Sequence, residues 1–520
     1  MRAWSRTFVN RHPLISPISA RPCLVPWRLY SGRQLQHAMA AEQPPAKAPY
    51  KPRYVDIGIN LADPIFRGRS GGKQRHPDDL HAVVQRARDV GCTKLIVTGS
   101  SFRSSRDALK LADEFPGTVY STAGIHPCSS AIFGPQHPHH HEAADEEHTA
   151  ACDPDLSKPV ADEHEPDLAR SAQIIADLRA LVRSGSAPTD KGSSSGSSGP
   201  HRLVAFGEFG LDYDRLHFCP KSLQRHSFAA QLELVASLAS PTSSSPDDDD
   251  NDNDNDNDDG GPPQPLALPL FLHSRAAHRD FVSALTAAFG PRLERLPRGG
   301  VVHSFTGTAE EARELTADLG LYLGINGCSF KTAENCDVVR DLPLDRLMIE
   351  TDGPWCEVRP SHEGWRYLVE HYAGVRAREE KEAEEKQAVA VAEQAARAEA
   401  EAEVVAVAAD GGGADGGSGQ QTPSSAAPSA NGDARRPPRK KKPQQQQQAG
   451  KKNQKVSEVP ERFKSVKKEK WEEGAMVKSR NEPCNIERIA IIVAGIKGIS
   501  VEQVTETAWA NTIKMFGLDE

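Results

Sequence analysis

Eight short runs of apolar, β-type residues recur along this chain, and a helix-type segment follows each one. They are YVDIGI from Tyr54, KLIVTG from Lys94, VYSTAGI from Val119, LVAFG from Leu203, LPLFLH from Leu268, GVVHSF from Gly300, LYLGIN from Leu321 and RLMIET from Arg346. Such continuous runs suit strands buried on both faces, as in a parallel sheet covered by helices. Unbroken strand–helix alternation makes the strands parallel. Eight such units predict an α/β fold of the TIM type, a (β/α)8 barrel. The helical segment after the seventh run, near Asp337 to Leu342, is short. A doubly wound sheet is the competing architecture, but no GxGxxG follows any of the runs.

The barrel accounts for only part of the 520 residues. Hydrophobic residues make up 38%, below the usual globular share, and four low-complexity segments carry the deficit. Residues 134–166 are rich in His, Asp, Glu and Pro; 184–200 in Gly and Ser; 240–265 hold an Asp/Asn run; 376–456 pass from an Ala/Glu tract through Gly/Ser to a basic Pro/Gln tract. Such compositions bury too little apolar surface to offset ordering entropy. Residues 53–520 therefore read as a single barrel domain interrupted by four disordered insertions.

The net charge of −9 resides in one place: Asp247 to Asp259 contains nine aspartates, and the rest of the chain is formally neutral. An anionic partner such as nucleic acid is compatible with that balance. Nine cysteines without a CxxC pair indicate neither a disulfide framework nor a zinc finger. Residues 1–41 contain six arginines and no acid, the pattern of a mitochondrial presequence. RLYS, Arg28 to Ser31, is similar to a matrix-protease cleavage site. Met39 offers an alternative start, and with it a cytoplasmic or nuclear form.

In barrels of this kind the reactive groups stand at the C-terminal ends of strands. The third run ends at His126, the fourth at Glu208, the fifth at His273, the sixth at His303, and the eighth at Asp352. One histidine closing a strand is usually a hydrogen-bonded structural residue. Five metal-type side chains at five strand ends are a set. Imidazoles with carboxylates make a mixed N/O site suited to Zn, Mn, Fe or Mg. A carboxylate among other ligands, such as Glu208, can bridge two cations. Paired cations activate water and stabilise the leaving oxygen of a phosphodiester.

DIGIN, AGIHP, GEFGLDYDR, LHSRAAH, HSFTG, IETDGPWC and RNEPCNI, in that order, resemble the motif set of the TatD family of metal-dependent deoxyribonucleases, in its eukaryotic branch. The resemblance covers roughly residues 53–133, 201–239, 266–375 and 457–517 and skips the insertions. It implies a TIM-type barrel of the amidohydrolase superfamily. It also implies 3′–5′ exonuclease activity on DNA, with single-stranded ends as substrate. No apolar run approaches the roughly 20 residues a membrane helix needs, so no membrane association is expected. Two divalent cations per subunit are implied, Mg for activity with Mn or Zn as alternatives. Carried over by motif, Glu208 bridges both, His273 and His303 bind one, and Asp352 binds the other. Asp352 also orients the attacking water and takes its proton.

One departure is specific. Many barrels of this superfamily carry His-x-His at the end of the first strand, where this chain has Gly58 and Asn60. The Glu208/Asp352 position is therefore expected to hold its cation less tightly than the Glu208/His273/His303 position. Asp56 is either an assistant ligand or a cap. His126, Arg275, Asn60 and Arg480 are candidate substrate contacts. For His126 the other reading is a structural histidine, and for Arg275 a surface ion pair. Glu482 joins Arg480 as a residue that could line the site. Asp212 and Arg215 are expected to order the loop after Glu208, and Thr308 with Glu311 to form a capping box. HPHHH, from His137, reads as a loop tract. RRPPRKKK, from Arg435, reads as a linker, a nuclear signal or a DNA tether. The alternative function is another hydrolase on the same barrel, a D-aminoacyl-tRNA deacylase or a small-ester hydrolase. A basic, phosphate-sized cleft favours the nuclease, and a closed apolar pocket the esterase.

Overall fold

The computed structural model describes residues 50–135, 157–187, 201–240, 264–410 and 458–519. The proposed presequence, the His and Asp/Asn tracts and the basic run from Arg435 lie outside the described residues.

All eight expected runs form strands. They are β1 (Tyr54–Ile59), β2 (Cys92–Val97), β3 (Val119–Ala123), β4 (Leu203–Asp212), β5 (Leu270–Arg275), β6 (Gly300–Val302), β7 (Tyr322–Ile325) and β8 (Leu347–Ile349). They pair in sequence order as one eight-stranded sheet whose ladders are all parallel. The seam is closed just past β8. There the Asp352 amide donates to Gly58 O at 2.8 Å and the Asn60 amide to Gly353 O at 2.9 Å. The chain is thus nearly closed as a (β/α)8 barrel.

Helices cover the outside: α1 (Leu80–Asp89), α2 (Phe102–Glu114), α3 (Leu168–Ser186), α4 (Lys221–Ala239), α5 (His278–Phe289), α6 (Ala309–Arg313, running into a π turn), α7 (Ala333–Asp341), α8 (Trp365–Asp410), α9 (Ile486–Lys497) and α10 (Val501–Phe516). Thr308 and Glu311 form the expected reciprocal cap at the start of α6. Inside the sheet, Val55, Ile96, Tyr120, Ala205, Phe271, Val301 and Met348 meet in one apolar cluster. Side chains from seven strands can converge only in the lumen. Trp509, Met515 and Phe516 of α10 belong to the same cluster, so the C-terminal helix packs against the N-terminal ends of the strands. The opposite end stays open for the strand-terminal polar groups.

The tract expected to be disordered from residue 376 is helical as far as Asp410, as the continuation of α8. Its side chains are exposed over 377–402, outside the core. Ala, Glu, Lys and Arg are strong helix formers, and pairs such as Lys381–Glu385 and Arg397–Glu401 add local support at i,i+4 spacing. Among the described residues no helix is long and apolar enough to cross a membrane.

Candidate metal centre

β4 begins as a buried apolar strand and delivers Glu208 to the open end of the barrel. Two glycines make that approach possible. A Cβ on Gly207 (φ +139°) would lie 2.1 Å from Phe271 O, and one on Gly210 (φ +147°) 1.9 Å from His273 O. Neither position has room for a side chain, so β4 lies directly against β5. The Glu208 amide donates to Gly99 O at 2.7 Å.

Glu208, His273 and His303 converge. Glu208 Oε1 lies 3.0 Å from His273 Nδ1 and 2.6 Å from His303 Nε2, and the two ring nitrogens are 3.2 Å apart. All three residues are buried. Three lone-pair atoms facing one another at this range are satisfied by a shared proton or a shared cation, so the donor set fits a divalent metal of N/O preference. Burial alone would raise the Glu208 carboxyl. The His303 and His126 charges and the histidine hydrogen bonds outweigh it and hold the group well below the usual carboxylate range. Burial likewise disfavours a charged His303, but the Glu208 carboxylate, with a contribution from Glu350, keeps its proton affinity well above the ordinary imidazole value.

Each of these imidazoles has a buried carboxylate behind it. His273 Nε2 lies 3.1 Å from Asp212 Oδ2, and the same oxygen accepts from Arg215 Nη1 at 3.0 Å. His303 Nδ1 faces Glu350 Oε2 at 3.7 Å. Both of those atoms otherwise lack a hydrogen-bond partner among the described residues. The other Glu350 oxygen accepts from the Ser304 amide at 2.5 Å and Asn326 Nδ2 at 3.2 Å. A carboxylate on the far ring nitrogen fixes tautomer and ring orientation. Asp212 thus does more than the loop ordering expected of it, and Glu350 is a functional residue that the sequence reading does not single out. A signal exists for Asp212: it lies four residues from Glu208 on one strand, a spacing that shares a strand face.

Asp352 stands on the other wall of the cavity. Its backbone takes a left-handed φ of +52°. Its Oδ1 accepts from Asn60 Nδ2 at 3.0 Å, and Cys356 Sγ lies 3.1 Å from its Oδ2. Asn60 is itself held by the Thr98 hydroxyl, so its amide serves to orient Asp352. The gap expected at Gly58 is filled. A Cβ there would lie 2.4 Å from Glu350 Oε2, so the glycine makes room for that buried carboxylate. Asp56 is not at the cavity: it accepts from the Thr351 amide at 2.9 Å and from the Thr351 hydroxyl at 2.5 Å, the capping alternative. Burial, opposed by these hydrogen bonds, pushes its carboxyl up to about 8.

His126, Arg275 and Asn60 line the same cavity as Glu208 and Asp352, together with Arg215 and Trp355. His126 Nδ1 accepts from the Cys128 amide at 3.1 Å, so a neutral ring carries its proton on Nε2, 3.4 Å from Glu208 Oε1. Arg275 reaches Ser304 O and Oγ at 3.4 Å. Arg480 requires correction. It is buried away from the cavity, paired with Asp79 at 2.6 Å and Glu482 at 2.8 Å, and Arg86 completes the ion network on Glu482. The residue of that motif that does serve the site is Asn481, whose amide holds Thr351 O and Trp355 O at 2.8 Å each. It therefore clamps the loop carrying Asp352.

A family model described as TatD related DNase matches residues 55–243 and 264–410. The chain is similar to "Deoxyribonuclease Tat-D" of Schizosaccharomyces pombe, with 32% identity over 89% of this chain and 95% of that protein. It is also similar to "3'-5' ssDNA/RNA exonuclease TatD" of a Pantoea species, with 31% identity over 59% of this chain and 82% of that one. Among solved structures it resembles an uncharacterized amidohydrolase from Saccharomyces cerevisiae, with a TM-score of 0.55, 28% identity, and coverage of 89% of this chain and 99% of that one.

Proposed function

The chain belongs to the TatD family of deoxyribonucleases, and from that premise we propose that it is a metal-dependent DNase trimming single-stranded DNA ends in the 3′–5′ direction. The observation that carries the reading is the convergence of Glu208 Oε1, His273 Nδ1 and His303 Nε2 in a cavity whose walls also bear two guanidinium groups. Most of the lining side chains are polar or charged, two guanidinium groups among them, which supports a phosphodiester over the closed apolar pocket of an esterase.

We assign Glu208, His273 and His303 to one divalent cation, and Glu208 with Asp352 to a second, with Mg the working metal. Bound there, the cations supply charge neutralisation of the phosphate and an acidified water. The chain's own residues do the rest. Arg275 and Arg215 hold phosphate oxygens. His126 presents its Nε2 proton to the cavity. Asp352, oriented by Asn60, accepts the proton of the attacking water. Trp355 offers a stacking face for a terminal base.

The experiment is full-length protein with 5′-labelled single- and double-stranded DNA, scanned across Mg, Mn and Zn. A ladder shortening from the 3′ end, faster on single strands, is expected. Intact DNA with every metal, alongside hydrolysis of an aminoacyl-tRNA or a small ester, overturns the reading in favour of the acyl hydrolase. The first 41 residues are proposed to direct mitochondrial import; a reporter fusion that stays cytosolic, unchanged on Arg28→Ala, refutes that.

A further inference from the structure

Two cysteines meet behind Asp352. Cys328 sits in the tight turn Gly327–Phe330 that follows β7, where its amide donates to the Asn326 side chain at 2.9 Å. Cys356 sits in the loop after β8, four residues beyond Asp352, at a left-handed φ of +55°. Their Sγ atoms are 3.0 Å apart. The backbones beneath them also touch: a Cβ on Gly327 would lie 1.9 Å from Cys356 O. The two thiols are therefore fixed by their loops and not brought together by side-chain mobility. Cys356 lines the cavity, whereas Cys328 is 1% exposed and lies behind it. Cys356 Sγ is also the sulfur 3.1 Å from Asp352 Oδ2.

We propose that Cys356 and Cys328 form an oxidation site in the cavity wall, in which hydrogen peroxide closes a reversible disulfide that disables the Asp352 position. The peroxide reaches Cys356, the thiol at the cavity. Its sulfur attacks the distal peroxide oxygen, the O–O bond breaks, and water and a sulfenic acid result. The Cys328 sulfur then attacks the Cys356 sulfur and displaces hydroxide, which leaves as a second water with the Cys328 thiol proton. In sum, two thiols lose two hydrogens and one hydrogen peroxide becomes two waters. A disulfide sets its sulfurs at about 2.05 Å, so closure requires only about a 1 Å approach. Closure removes the Cys356 S–H and turns its sulfur toward Cys328. Asp352 Oδ2 then loses the thiol donor beside it, while the Glu208/His273/His303 cluster on the opposite wall is untouched. The cross-link stands independently of the assigned activity; its effect on the second cation rests on the reading of Asp352 given above.

The test uses metal-free full-length protein, treated with hydrogen peroxide and then, in one half, with dithiothreitol. Peptide mapping without reductant should yield a linked pair carrying Cys328 and Cys356. Calorimetric titration with Mn should show the weaker binding step lowered by about tenfold or more, the tighter step unchanged, and both restored by dithiothreitol. Cys328→Ser should form no linked peptide and keep its weaker step after the same peroxide treatment. No linked peptide in the unsubstituted protein overturns the proposal. So does a linked peptide with an unchanged Mn titration, or loss of the weaker step in Cys328→Ser equal to that of the unsubstituted protein. The reductant arm needs no variant, so a Cys328→Ser protein that fails to fold leaves the result decisive. A failed DNA assay bears on the proposed activity and leaves the peptide map and titration standing.

Discussion

On the β4–β6 wall of the cavity, three ligand atoms lie within 3.2 Å of one another, and a buried carboxylate stands behind each imidazole. On the wall where β8 meets β1, Asp352 accepts from the Asn60 amide and lies against the Cys356 thiol, and the Gly58 position is filled by Glu350. On the first wall the three ligand atoms share protons without a metal, and a cation can take the place of those protons. On the second, Asp352 is the one ligand assigned besides Glu208, so a cation there must complete its shell with water or substrate, as Mg commonly does. One barrel end can thus combine a resident cation with an exchanging one. The strand ends supply both, and their neighbours decide which is which.

The largest expected effect separates the walls directly. Asp352→Asn should lower turnover by about 10²- to 10⁴-fold, the range of a lost general base, while one equivalent of metal survives dialysis. His273→Ala should strip that resident equivalent. Metal content by emission spectroscopy after dialysis, with calorimetry on metal-free protein, reads both. Two equally tight sites, or a fully active Asp352→Asn protein, would collapse the comparison.

Next in size is the carboxylate behind His273. Asp212→Asn keeps the shape but removes the charge that holds both His273 Nε2 and Arg215 Nη1. Outer carboxylates of this kind typically change metal affinity by about 10- to 100-fold. The tight Mn step should weaken by that factor and the weaker step should not move. Equal weakening of both would mean that Asp212 acts through the whole loop and not through His273.

These residues also show how far the sequence can be read. The strand ends are legible because an apolar run that stops at His, Glu or Asp puts a polar group at the edge of a core, where it needs a partner or a ligand. Parallel strands in sequence order also bring consecutive ends side by side, which is why Glu208, His273 and His303 group together from their order alone. Glu350 is not legible. Its role depends on the missing Cβ of Gly58, nearly three hundred positions earlier, and on a β8–β1 seam that local patterning does not describe. Arg480 misleads for a related reason. A motif places an arginine near the site in sequence, but only the positions of Asp79 and Glu482 decide that its charge is neutralised in the interior. The tract from residue 376 lacks apolar surface. That excludes it from the core, yet Ala/Glu composition still favours helix over coil.

A smaller effect concerns the anchor of the second wall. Asp56 is buried, receives hydrogen bonds from Thr351, and has its carboxyl pushed up to about 8. In the unfolded chain an aspartate titrates near about 3.9. Between those values the folded state holds a proton that the unfolded state has released. Stability is therefore full below the lower value and falls as pH rises toward 8, by up to about 1.4 kcal/mol per pH unit, before levelling off. Asp56→Asn should remove that slope. Urea unfolding of metal-free protein at pH 6, 7, 8 and 9 measures it, and the same slope in the variant would show that another group is responsible.

The smallest effect belongs to the connection between α4 and β5. The segment 241–263 joins α4 to β5 and carries a formal charge equal to the chain's whole net charge of −9. Beside it the Leu266 amide donates to Leu238 O at 2.7 Å, so the two ends of the connection are already tied together. Replacing 241–263 by a few Gly and Ser residues should therefore close without moving β5 or His273. Loop-closure entropy changes by only about 0.6 kcal/mol for each halving of loop length, so shortening should leave stability level or slightly raised. The shortened protein should melt cooperatively and show the same two Mn steps as the full chain. Loss of cooperative melting would place the segment in the core. A cooperative melt with a weakened first step would show instead that this connection helps set the position of His273, and the separation of the two walls would then extend to the far end of β5.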